Sequence, residues 1–221
     1  MMAEDDGAVR SVLRAFDVLA LFTEQRRTWA VKDLTAASGL AKTTVLRLVA
    51  TCEQRGLLWT RPDGRVTVGP GLLRWAQLAT TAWQLPEPVR QVLRELAREH
   101  GETVGLYVRG TEVLVCVAQQ DGTRAIRHVG HVGDELPLGC GAAGRVLSGT
   151  NEGTAVSHGE PEPGASSVAA PVLDADGRLL AALAVTGPTT RFTAEAVAEF
   201  GAGVTEASRR ISRIGFGARP E

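Results

Sequence analysis

The chain has 221 residues, of which 22% are charged and 44% hydrophobic, with a formal net charge of −1. This length suits two modest domains, and no stretch approaches the ~20 apolar residues of a membrane-spanning helix. Three cysteines, Cys52, Cys116 and Cys140, give neither an even disulfide count nor a metal-ligand spacing, so a reduced, cytoplasmic protein without metal or cofactor is expected.

The acidic start, with Glu4, Asp5 and Asp6, does not read as a secretory signal, and residues 1–9 are expected to form a disordered tail. Val9, Leu13, Phe16, Val18, Leu19 and Phe22 then pattern a helix over about 10–23, whose apolar face is expected to cover the next two helices. Residues 31–55 read as a short helix, a turn at Gly39 and a second helix. Leu34 and Ala37 can share a face of the first. Val45, Leu48, Val49 and Cys52 follow the helical spacing in the second. Lys42, Thr43, Thr44 and Arg47 fall on the first turns of that second helix, where a recognition helix presents donors to phosphates and base edges. Gly56 ends it. Leu57 to Trp59 and Arg65 to Val68 read as two strands joined by Arg61-Pro62-Asp63-Gly64, since Asp-Gly is a strong hairpin signal. A helix-turn-helix followed by such a ribbon is a winged helix, and Arg61 and Arg65 on the ribbon can reach DNA backbone or minor groove.

These segments resemble the IclR family of bacterial transcription regulators. The resemblance rests on Ser11 to Leu19, on Leu34 through Gly56 and on Val68-Gly69-Pro70-Gly71-Leu72-Leu73. It departs from the family at Ala41, where proline is common, at Thr43, where serine is common, and at Leu46, where a polar or aromatic residue often sits. Charge agrees with a DNA-binding half. Residues 1–84 hold 11 Lys and Arg against 8 Asp and Glu, a net of +3, and the remainder has 13 against 17, a net of −4.

A helix over about 71–84, with Leu72, Trp75 and Ala79, either buries in its own domain or forms a dimerising linker. Dimerisation is expected because one winged helix reads few base pairs. The domain plan is thus a winged helix-turn-helix at 10–70, a linker at 71–85 and a second domain at 86–221. In that domain, helices are expected over 87–100 and from Thr193 to about Ile214. Strands are expected at 103–108, 113–119, 123–129, 167–173 and 179–186, with 158–167 as loop. The fold class is α+β, and the second domain looks like the GAF-like effector-binding domain of the same family.

The small-residue loop Gly133 to Gly141, opening into a short helix, is the expected ligand site. A helix start offers unpaired N–H groups that favour a small carboxylate. The resemblance implies that Ala142 and Ala143 line an effector pocket together with Ser167, Ala184 and Thr186, and Cys140 lies in the same loop. Only Thr150 to Gly164 separate this helix from the next strand, where the family carries a few dozen residues, so one wall of the pocket is expected to be short. The expected protein is therefore a homodimeric or tetrameric regulator of a double-stranded operator, answering to a small effector and not an enzyme. The alternative is a thiol sensor or enzyme centred on Cys140, with His128 and His131 upstream, because a cysteine at a helix N-terminus can have a lowered pKa. Gly139-x-Gly141-x-x-Gly144 has dinucleotide spacing but no surrounding βαβ pattern.

Overall fold

The computed structural model describes residues 9–23, 25–150, 153–160 and 162–216. The expected tail, apart from Val9, lies outside the described residues. The chain divides into two compact units, residues 1–82 and 83–221.

The first unit runs α1 (Arg10–Ala20), β1 (Thr28–Ala30), α2 (Val31–Ser38), α3 (Lys42–Gln54), β2 (Leu58–Thr60), β3 (Arg65–Val68) and α4 (Leu72–Ala82). Gly39 sits between α2 and α3 at φ 66°, a left-handed conformation that costs glycine nothing. Val18, Trp29, Leu34, Val45, Val49, Cys52, Leu58 and Val66 form one buried core. Two expectations fail at its edge. Ala37 is exposed, leaving Leu34 as the buried contact from α2. On α1, Val9, Leu13 and Phe16 also stay in solvent, because the packed side of that helix is the one carrying Ala15, Val18 and Leu19.

The ribbon gains a third strand that the sequence does not announce. β1 is only three residues long and runs directly into α2, too short to show alternation. It pairs antiparallel with β3, giving the order β1-β3-β2. Trp29 on β1 is buried, and its indole N–H donates to the Leu21 carbonyl at 3.0 Å. In α4 no residue is buried, and Leu73, Trp75 and Leu78 are exposed. Burial of that helix in its own domain is therefore not observed.

The second unit runs α5 (Glu87–His100), β4 (Thr103–Arg109), β5 (Val113–Gln120), β6 (Glu135–Pro137), α6 (Gly141–Leu147), β7 (Ala155–His158), β8 (Ala165–Leu173), β9 (Leu179–Pro188) and α7 (Ala194–Ile214). The Thr193 side chain caps α7 by accepting from the Ala196 N–H. The strands make a six-stranded sheet in the order β6-β5-β4-β9-β8-β7, antiparallel at every pairing. Residues 123–129 are not a strand, as the spacing had suggested, but part of a loop. Their backbone is taken up by single side-chain bonds, such as Thr103 Oγ1 to the His128 carbonyl at 2.6 Å, rather than by a ladder. Of the expected loop at 158–167, the described residues between His158 and Ala165 are loop; its two ends belong to β7, a strand the sequence reading did not place, and to β8, which pair with each other.

Strand alternation sorts the side chains of this sheet onto two faces. Val104, Leu106, Val168, Ala170, Leu183 and Val185 point to α5 and α7 and form the larger core. Tyr107, Cys116, Ala169, Ala182 and Ala184 point the other way, toward α6. Across the sheet Ser167 is paired with Thr186 and Ala169 with Ala184, so all four lie on the α6 side.

Candidate DNA-binding surface and effector cavity

The core positions of α3 fix which of its residues face out. Val45, Val49 and Cys52 are buried, which turns Lys42, Thr43, Leu46 and Arg47 to solvent and leaves Thr44 half-buried. Neither Lys42 nor Arg47 is paired with an acid among the described residues. The Thr51 hydroxyl donates to the Arg47 carbonyl at 2.8 Å, inside the helix. No side chain caps the N-terminus of α3, which follows Ala41. An uncapped helix start with donor side chains beside it is suited to phosphate oxygens. Leu46 adds an exposed apolar group to the same face.

The two wing arginines differ. Arg61 is exposed at the turn, where the Gly64 N–H donates to its carbonyl at 2.9 Å. Arg65 is also exposed, but its guanidinium ties β3 to β1, donating to Thr28 Oγ1 at 3.3 Å and to the Thr28 carbonyl at 3.2 Å. Reaching DNA with Arg65 would require giving up those bonds.

In the second unit, one cavity of about 190 Å³ lies between the sheet and α6. Cys140, Ala142, Ala143, Ser167, Ala184 and Thr186 all line it, brought together by the shared face of β8 and β9 and the first turn of α6. The sequence reading missed Tyr107, Cys116 and Gln119 on β4 and β5, which line it too. A signal for Tyr107 was available. It is the chain's one tyrosine, and in Thr-Val-Gly-Leu-Tyr-Val alternation puts it on the face of Gly105. Gly105 leaves the space its ring occupies, since a Cβ there would meet the Tyr107 hydroxyl at 2.7 Å.

Two of the N–H groups at the start of α6, which a carboxylate site would use, are already taken. The Gly141 N–H donates to Glu160 Oε2 at 3.3 Å, and the Ala142 N–H donates to Ser167 Oγ at 3.2 Å. Arg145 holds the same edge, bonding Glu160 at 2.9 Å and the Val156 carbonyl at 2.7 Å. The thiol alternative also loses its chemistry. Burial, with the charge of Glu160 next, pushes the Cys140 thiol above its ordinary pKa, and Arg145 only opposes this. The Cys116 thiol is pushed up to about 12, by burial first and then Asp134. Both stay protonated near neutral pH and are poor nucleophiles. Among the described residues no cluster of His, Cys, Asp and Glu could hold a metal, and no helix is long and apolar enough to cross a membrane.

Comparison with known proteins agrees with this architecture. The IclR helix-turn-helix domain model matches residues 11–62. The bacterial transcriptional regulator IclR C-terminal model matches residues 77–151 and 148–213. The HTH-type transcriptional regulator KipR of Bacillus subtilis is 24% identical over 245 residues, covering 94% of this chain and 98% of KipR. The crystal structure of an IclR-family regulator from Rhodococcus sp. is 36% identical, covering 98% of this chain and 97% of that one, with a TM-score of 0.60. An IclR homologue from Microbacterium hydrocarbonoxydans, complexed with 4-hydroxybenzoate, shares the fold at 19% identity and a TM-score of 0.62, covering 90% of this chain and 99% of that one. The matching proteins are regulators rather than enzymes, and the chain belongs to the IclR family of transcriptional regulators, with a DNA-binding helix-turn-helix domain followed by an α+β domain.

Proposed function

We propose that the protein acts as a homodimer or tetramer on an inverted-repeat operator, and that a small molecule in the second unit's cavity sets its DNA affinity. The outward face of α3 carries this reading: Lys42, Thr43 and Arg47 are exposed beside an uncapped helix start. Residues 10–70 engage DNA, 71–85 link, and 86–221 sense the effector. Arg47 and Lys42 reach base edges and phosphates from the major groove, Thr43 and Thr44 support them, and Arg61 touches the backbone from the wing. Arg65 serves as a second wing contact only by exchanging its Thr28 bonds for DNA.

Two unburied apolar surfaces favour pairing of chains. Val9, Val12, Leu13 and Phe16 form a stripe on α1, with Phe16 62% exposed, and Leu73, Trp75 and Leu78 stand on α4. Covering such surfaces with a second copy removes apolar area from water and sets two recognition helices at a fixed spacing. A ligand that prefers one spacing then shifts the DNA affinity by its preference for that state. The Microbacterium homologue's 4-hydroxybenzoate complex supports an effector of about that size here.

The test is recovery of genomic fragments by the purified protein at two salt concentrations. A few enriched sites sharing an inverted repeat and surviving the higher salt support the reading. Uniform loss of all fragments with salt would mean phosphate attraction without sequence readout, and would overturn it.

A further inference from the structure

The cavity floor holds two hydroxyls that no described residue uses. Tyr107 is 8% exposed and Thr186 is 7% exposed, both line the cavity, and neither side chain hydrogen-bonds another described residue. Their positions converge. The Tyr107 ring lies over Gly105, whose strand partner is Ala184, and Thr186 is two residues further along β9 on the same face. Ala184 between them is small and leaves room. The neighbouring Ser167 hydroxyl, by contrast, is occupied by the Ala142 N–H and by Ser157.

Buried polar groups are ordinarily satisfied, and one left open toward a cavity is matched by what enters it. The charge of the lining says what that is. Asp134, Glu135 and Glu162 stand exposed around the mouth, and the lining contains no lysine or arginine, only His128 and His131 as basic groups. At the start of α6, which a carboxylate would use, the Gly141 and Ala142 N–H groups already donate to Glu160 and Ser167. An anion entering here meets acids and finds no free cation of its own.

We propose that the cavity takes a small neutral ring or chain molecule whose carbonyl or hydroxyl oxygen is held between Tyr107 Oη and Thr186 Oγ1, with its donor groups turned to the acidic mouth. This rests on the effector reading above and sharpens it. It replaces the carboxylate suggested by the sequence with an uncharged acceptor. Size agrees, since a cavity of about 150 Å³ admits benzene and this one has about 190 Å³. The phenol stays a neutral donor across ordinary pH, because burial, with Cys116 and Asp134 beside it, raises its pKa above 10.

Benzamide and benzoate have nearly the same shape and differ in charge. Calorimetric titration of the full chain with each is the test. Benzamide is expected to bind at least tenfold more tightly than benzoate. Tyr107→Phe and Thr186→Val are each expected to weaken benzamide by about tenfold, the loss of one buried hydrogen bond, with melting temperatures near the wild type. Equal benzamide affinity in wild type and both variants would overturn the hydroxyl anchor while leaving a ligand-binding cavity. Tighter benzoate binding would overturn the charge assignment. Binding of neither probe to the wild type would overturn the proposal altogether. Recovery of an operator by the same preparation shows that such a failure belongs to the cavity and not to the DNA-binding reading.

Discussion

The outward face of α3 and the floor of the cavity are both built from polar side chains, and they are arranged in opposite ways. On α3 the donors lie within two turns of one helix, Lys42, Thr43 and Arg47 are exposed, and neither Lys42 nor Arg47 has an acid partner among the described residues, so the partner they suit is large, charged and external. On the cavity floor the hydroxyls of Tyr107, Ser167 and Thr186 come from β4, β8 and β9, are almost wholly buried, and face a volume of about 190 Å³. An exposed donor set works through charge and is weakened by salt. A buried one works through fit and the penalty of an unmade bond. The two surfaces should therefore respond differently to substitution, salt and pH.

The largest effect is expected where the second unit buries a charge. Glu102 is fully buried, with its carboxylate bonded by the Arg191 guanidinium, which also donates to the Ile126 carbonyl at 2.9 Å. Arg124 approaches the same carboxylate at 3.5 Å. This cluster pins the loop that continues to His128 and Gly130 on the cavity wall. Removing one partner of a buried pair typically costs about 3–5 kcal/mol. Because Arg191 and Arg124 keep some solvent contact, Glu102→Ala should fall at the low end, about 3 kcal/mol. A clearly lowered denaturant midpoint by circular dichroism is the expected result. An unchanged midpoint would show that the cluster is not holding the wall.

Arg47→Ala comes next, and it should leave stability alone. A bidentate base contact is worth about 1–3 kcal/mol of discrimination, so operator affinity should drop by at least tenfold and specificity should relax at one base position. Arg61→Ala should be milder. It should weaken all sequences alike and reduce the salt dependence of binding by about one phosphate contact per chain. If Arg47→Ala behaved like Arg61→Ala, with a uniform loss across sequences, α3 would be a phosphate clamp rather than a reader.

How far each surface could be read from the sequence follows from the same contrast. The helix-turn-helix is local: Gly39, the Val45-Val49-Cys52 spacing and the donors between them occupy a short stretch, and they fold as their periodicity says. The cavity-lining small residues could be named in advance from a family resemblance, and strand alternation placed Ala184 with Thr186. That Ser167 faces them needed the β8–β9 pairing, which no local pattern encodes. Tyr107 was missed for a related reason, since its role depends on Gly105 beside it and on a sheet face set by distant strands. The α1 stripe was misassigned because periodicity shows that a face is apolar but not what covers it. Val9, Leu13 and Phe16 satisfy the helical pattern and still stand in solvent. β1, β7 and β6, the last inside the expected loop Gly133 to Gly141, were lost because three or four residues are too few to show a period without a turn signal such as the Asp-Gly that marks β2 and β3.

The smallest expected effect tests whether the cavity wall responds to pH, as a buried site should and an exposed one should not. His128 lines the cavity, and burial lowers its pKa from 6.5, with Glu162 and then Asp134 opposing the shift. A base depressed in the folded state is protonated first in the unfolded chain. Its contribution to stability is present above about 6.5 and is lost as pH falls from there through the lowered folded value. Wild-type protein should therefore lose stability over that window by more than a His128→Asn variant does, in denaturant melts at matched ionic strength. The carboxylates that are depressed, such as Asp121 beside Gln119 and Arg127, titrate at lower pH and do not contribute to this difference. Superimposable slopes for the two proteins would mean that His128 is as well solvated in the folded chain as in the unfolded one. The loop carrying it would then not close the cavity, and the contrast between an open DNA face and a sheltered ligand site would lose the wall on which it depends.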